Sequence, residues 1–205
     1  PDYVAGVPAI EFLSLVKQLK LADYVAIFYG NGLLHAPHSD TTLSLLAKLV
    51  SILNTEKRRC TSLPLIAYSN TIGSVKACQA KANLPFATDF SSTPPVVCSP
   101  LKGFLENGFD AVLVVGVDAL SFLPGPAAQM LETLPLIALS SLPSLTTRHA
   151  EVVLPTALTG VEAGGTVNRV DGESLTLKPF HSPPTGLLTE EQILTQLLQR
   201  VTTSS

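Results

Sequence analysis

Glu151 to Asp171 reads E-V-V-L-P-T-A-L-T-G-V-E-A-G-G-T-V-N-R-V-D. Val152, Val153 and Leu154 are strand formers without a break, which suits a strand covered on both faces. Pro155 removes a ladder donor and fixes φ, so the strand ends there. Gly164 and Gly165 let the backbone take positive φ or pass close to a neighbour. Thr166, Asn168 and Arg169 then present polar groups beyond a sheet edge, where open α/β sheets hold ligands. A tight hairpin corner without a ligand accounts for the same residues equally well.

Outward from this stretch the chain alternates apolar strands with helices. Ala111–Val115, Leu136–Leu139 and Val152–Leu154 read as parallel strands, with a helix over Pro126–Leu134. Asn107-Gly108 ends the preceding helix with a left-handed residue. Upstream, Tyr24–Tyr29 reads as a buried strand, Leu63–Tyr68 as the next, and Thr41–Leu53 as a helix capped by Asp40. Helices are also expected from Pro8 and over Gly73–Lys81. At the tail, Thr189 and Gln192 form a capping box ahead of an amphipathic helix. The rhythm predicts an α/β fold of two Rossmann-like parallel-sheet units. The Pro94-Pro95 to Pro100 connection divides them into 1–99 and 100–205, the second with the glycine-rich turn and the C-terminal helix.

Of 205 residues, 46% are hydrophobic and only 14% charged, with net charge −3. So little charge predicts that much of the surface is covered by partner subunits or by more of the same chain. The short Lys57-Arg58-Arg59 cluster is a solvated loop and gives little support for nucleic-acid binding. Cys60, Cys78 and Cys98 are widely spaced with no C-x-x-C pair, so neither a metal site nor a disulfide is expected, and a cytoplasmic location fits. No apolar run is long enough to span a membrane. The first residue is proline, which reads as a fragment or a processed product.

Candidate chemistry is sparse. Gly30-Asn31-Gly32 follows a strand but lacks the third glycine of a dinucleotide fingerprint, and no helix is expected to open at once. His35-Ala36-Pro37-His38 reads as a loop rather than a metal site. His149 offers a general base or a hydrogen-bond donor. No G-x-S-x-G elbow occurs. Asp118 ends a strand where ligand-binding carboxylates lie, or caps the following loop. No catalytic residue is assigned.

Ala150–Pro155 (A-E-V-V-L-P) and Gly165–Gly172 (G-T-V-N-R-V-D-G) resemble the signature of the molybdopterin oxidoreductase superfamily. Tyr29–His35 (Y-G-N-G-L-L-H) is similar to the turn that starts its Rossmann-like domain. Val114–Pro124 (V-V-G-V-D-A-L-S-F-L-P) is similar to a segment lying against the pterin. Asn70–Gly73, Leu84–Phe90 and Gly160–Glu162 resemble the B subunit of formylmethanofuran dehydrogenase in particular. The resemblance covers nearly the whole chain.

In the dehydrogenases, the resemblance implies a tungsten or molybdenum ion on pterin guanine dinucleotides, with cysteine ligands from an N-terminal region that has no counterpart here. The segment aligned with a basic active-site stretch is Leu65-Ile66-Ala67-Tyr68. A non-redox branch in methylotrophic bacteria fits better. There a truncated B subunit, without metal, pterin or cluster, sits in a formyltransferase/hydrolase complex of one-carbon metabolism. That complex moves formyl from tetrahydromethanopterin to methanofuran and releases formate. The chain is thus expected to be a hetero-oligomeric assembly subunit, not catalytic alone, with no cofactor of its own. The alternative is a tungsten or molybdenum formylmethanofuran dehydrogenase carrying molybdopterin guanine dinucleotide, of which this chain is a fragment or the B subunit. A stand-alone nucleotide-binding module is a third reading. Asn70, Asp118, Thr166 and Asn168 are the candidates for a vestigial pterin groove and are expected to converge.

Overall fold

The structure is a computed structural model. It describes residues 2–34, 36–66 and 68–203, apart from the side chains of residues 31 and 34. Its backbone contacts divide the chain into two units, one of residues up to Ile72 with Asn168–Glu173, the other of Gly73–Val167 with the segment from Ser174 onward.

The first unit begins with a small antiparallel pair, β1 (Tyr3–Val4) and β2 (Val7–Pro8). Helix α1 (Ala9–Leu21) leads into β3 (Tyr24–Gly30), α2 (Asn31–Leu34), α3 (Ser39–Leu53) and β4 (Arg59–Leu65). Strands β3 and β4 pair in parallel from Tyr24↔Arg59 to Gly30↔Leu65. The second strand therefore starts four residues before the expected Leu63, because the parallel ladder enlists Arg59–Ser62 opposite β3. Asp40 does not cap α3: His38 is the N-cap, in the left-handed region at φ 60°, and Asp40 lies in the first turn. Helix α2 opens directly at Asn31, against the expectation of a plain turn.

The expectation that Tyr24–Tyr29 is buried holds for one face only. Val25 and Cys60 form a small core with Leu53, flanked by Leu19, Ile27 and Val50. On the other face Tyr24 and Phe28 are exposed. Helices α1 and α3 supply that core, and α1 contributes no fully buried residue.

The second unit takes in most of α4 (Thr71–Ala82), then β5 (Thr88–Asp89), β6 (Val96–Val97) and α5 (Pro100–Leu105). Strands β5 and β6 pair antiparallel around the Pro94-Pro95 segment. The chain continues through β7 (Val112–Val115), α6 (Ala119–Phe122), α7 (Gly125–Thr133), β8 (Leu136–Ser140), α8 (Leu145–His149) and β9 (Val152–Pro155). It ends with β10 (Gly165–Asn168), β11 (Ser174–Leu177) and α9 (Glu190–Thr203). Strands β7, β8 and β9 form a parallel sheet in that order. Asn107 takes φ 54° after α5, as its Asn-Gly pair predicts. The tail capping box forms as expected: Gln192 N donates to Thr189 Oγ1, and Thr189 N donates to Gln192 Oε1.

Alternation along the sheet sorts the core. Val114 and Leu136 pack with Leu131, Ala127 and Phe104, Ala138 on the same face is buried, and the Phe104 and Phe109 rings meet edge to face at 5.0 Å. On the opposite face Leu113, Ile137 and Val152 stay exposed. Strand β9 is thus not covered on both faces, and Val153 is also exposed.

Both parallel sheets leave apolar residues open on the face away from these cores, although in the second Leu139, on the Ile137 side near the strand ends, is buried. Large apolar side chains stand exposed on these faces, Tyr24, Phe28, Leu113, Ile137 and Val152 among them, the kind of surface that ordinarily marks an interaction site. Among the described residues, no helix is long and apolar enough to cross a membrane.

Candidate functional site

The carboxyl ends of parallel strands are where an open α/β sheet holds a ligand, so the site is sought beyond Val115, Ser140 and Pro155. Gly116 follows β7 at φ 67°. A Cβ there would stand 3.0 Å from Glu190 Oε1 at the start of α9. Packing against this strand end takes the Glu190 carboxyl out of water and raises its pKa.

Asp118, two residues on, is a hub. One carboxylate oxygen accepts the Thr146 hydroxyl at 2.6 Å and the Thr146 N–H at 2.9 Å. The other accepts the Ser121 hydroxyl. The Thr146 hydroxyl oxygen in turn accepts the Leu120 N–H at 3.1 Å. Thr146 is fully buried. These donors, Ser121 first and Thr146 next, hold the Asp118 carboxyl well below the usual carboxylate range. Asp118 therefore remains ionised at neutral pH and serves to fasten the loop after β7 to the start of α8.

Helix α8 is absent from the sequence-based expectation, although its signal is present. Ser144 and Thr147 form a reciprocal capping box, with Thr147 N donating to Ser144 Oγ and Ser144 N to Thr147 Oγ1. Thr146, which sequence reasoning missed, lies inside that S-x-x-T frame. His149 sits at the far end of α8, its Nδ1 3.1 Å from the Leu145 carbonyl and its Nε2 3.6 Å from Glu132. It ties α8 to α7 and faces no nucleophile among the described residues.

The glycine-rich turn resolves in favour of the hairpin corner. A Cβ on Gly164 would fall 2.4 Å from the Leu177 carbonyl oxygen. The close neighbour that demands glycine is the chain's own β11. Leu158 N donates to Glu162 Oε2, and the Val161 carbonyl accepts from Phe180 and His181, so the G-V-E segment is also tied down locally.

The four groove candidates are placed as follows. Asn70, at φ 61°, accepts the Asn168 backbone N–H on its Oδ1 at 2.8 Å. The structure thus joins Asn70 with Asn168, through the backbone of the latter. Asp118 is engaged with Ser121 and Thr146, and Thr166 is exposed on β10. His35 and Ala67 lie outside the described residues, and His38 is exposed.

Two open cavities flank the end of β9. One, of about 280 Å³, lies among Ser140, Leu142, Thr147 and Val153. The other, of about 310 Å³, lies under α9 among Leu154, Leu188, Ile193, Leu197 and Arg200 and is mainly apolar. Among the described residues no three His, Cys, Asp or Glu side chains come together as a metal donor set. Cys60, Cys78 and Cys98 are free thiols. The described residues do not supply a tungsten or molybdenum ligand set.

No protein-family model matches the sequence. Among curated proteins, the chain is 28% identical over 204 residues to the B subunit of the tungsten-containing formylmethanofuran dehydrogenase 2 of Methanocaldococcus jannaschii. It is 24% identical over 204 residues to the protein of the same name from Methanococcus maripaludis. Each match covers 98% of this chain and 47% of the relative, so the chain spans about half the length of the relatives it matches. Among solved structures, a chain of the formyltransferase/hydrolase complex FhcABCD from Methylorubrum extorquens, determined with methylofuran, superposes with a TM-score of 0.69. That match has 22% identity and covers 94% of this chain and 53% of the other; it shows a shared fold. The chain is thus similar in sequence, across nearly its whole length, to part of the formylmethanofuran dehydrogenase B subunit.

Proposed function

We propose that this chain is a non-redox assembly subunit of a cytoplasmic formyltransferase/hydrolase complex of one-carbon metabolism. Such a complex moves a formyl group from tetrahydromethanopterin to methanofuran and releases formate. In this reading the chain binds no cofactor of its own, and the chemistry belongs to its partner subunits. The observation that carries the assembly role is the set of large apolar side chains left exposed on both parallel sheets, Tyr24 and Phe28 on one and Leu113, Ile137 and Val152 on the other. The internal use of the ligand edge supports the non-catalytic role: Asp118, Thr146, Ser144 and Thr147 are spent on one another. Asn70 and Asp118, two of the residues the sequence offered for a groove, then serve hydrogen bonds of the fold itself.

A second reading has its own support, since both curated relatives are named as subunits of tungsten-containing dehydrogenases. There the chain would be part of a larger B subunit that carries molybdopterin guanine dinucleotide. The deciding experiment is purification of the native complex, with subunit masses, tungsten and molybdenum content and both activities measured together. Formyl transfer to methanofuran with no stoichiometric metal on this subunit is the expected result. Stoichiometric tungsten or molybdenum with formylmethanofuran oxidation would replace the first reading by the second.

A further inference from the structure

We draw no further inference here: the strongest candidate, the mainly apolar cavity of about 310 Å³ under α9 among Leu154, Leu188, Ile193, Leu197 and Arg200, carries nothing because nothing in the structure shows what fills or covers it.

Discussion

The two parallel sheets are built on the same plan and reach different degrees of completion. In the β7–β8–β9 unit, Leu131, Leu136 and Leu139 are at most 1% exposed, and a buried threonine and an aspartate knit the strand ends to α8. In the β3–β4 unit the best-buried side chains, Leu53, Cys60 and Val25, retain 6 to 8% exposure, and the sheet has only two strands. A third strand gives the second unit a central strand, β8, whose side chains have neighbours on both flanks. Neither strand of the first unit has that. The difference teaches that a central strand lets a sheet enclose side chains completely, whereas a two-stranded sheet keeps every core side chain near the surface.

The largest expected effect sharpens this contrast. Leu131→Ala empties a fully enclosed site and should cost about 2–5 kcal/mol in urea unfolding of the isolated chain. Leu53→Ala, in the shallower core, should cost less than half as much there and more once the complex is assembled. Equal losses in the isolated chain would break the comparison.

Next comes the hairpin corner of the second unit. Gly164→Ala forces a methyl against the Leu177 carbonyl and should destabilise by about 1–3 kcal/mol through backbone displacement. A neutral result in thermal unfolding would mean that the β11 approach is softer than the geometry implies. In the first unit a corresponding tie is the Asn168 N–H on Asn70 Oδ1. Asn70→Ala removes that acceptor and should cost about 1 kcal/mol. No loss in thermal unfolding would refute the assignment.

The smallest effects concern pH, and both fall in the second unit. The Asp118 carboxyl has a lowered pKa, from its bonds to Ser121 and then Thr146. Its contribution is present above the ordinary carboxylate pKa of about 4 and is lost as pH falls through the folded value. Asp118→Asn should flatten the acid limb of the stability profile. The Glu190 carboxyl has a raised pKa, from burial. The folded state then holds its proton more tightly, so stability declines as pH rises from the ordinary value through the folded one. Glu190→Gln should remove that decline. Unfolding curves of the two variants between pH 2 and 7 that match wild type would refute both assignments.

Much of this was legible locally. Asn107 in its left-handed turn, the Thr189–Gln192 box and the strands at Val112, Leu136 and Val152 follow from residue types and short-range patterns, because turns and caps are decided within a few residues. The α/β alternation likewise pointed to parallel sheets. Other features depended on partners distant in the chain. The start of β4 at Arg59 was set by the ladder to β3, not by its own apolar run. Gly164 could face a ligand or a backbone until Leu177 was brought beside it. Asp118 could bind or cap until α8 delivered Thr146 to its carboxylate. Apolar strand residues announce that a face wants cover, but only the packed structure shows which face received it. Here hydrophobic periodicity by itself determined the main strands and helices and their order. The tertiary structure decided which polar groups were consumed internally and which apolar faces stayed open, since both outcomes rest on contacts between segments far apart in sequence.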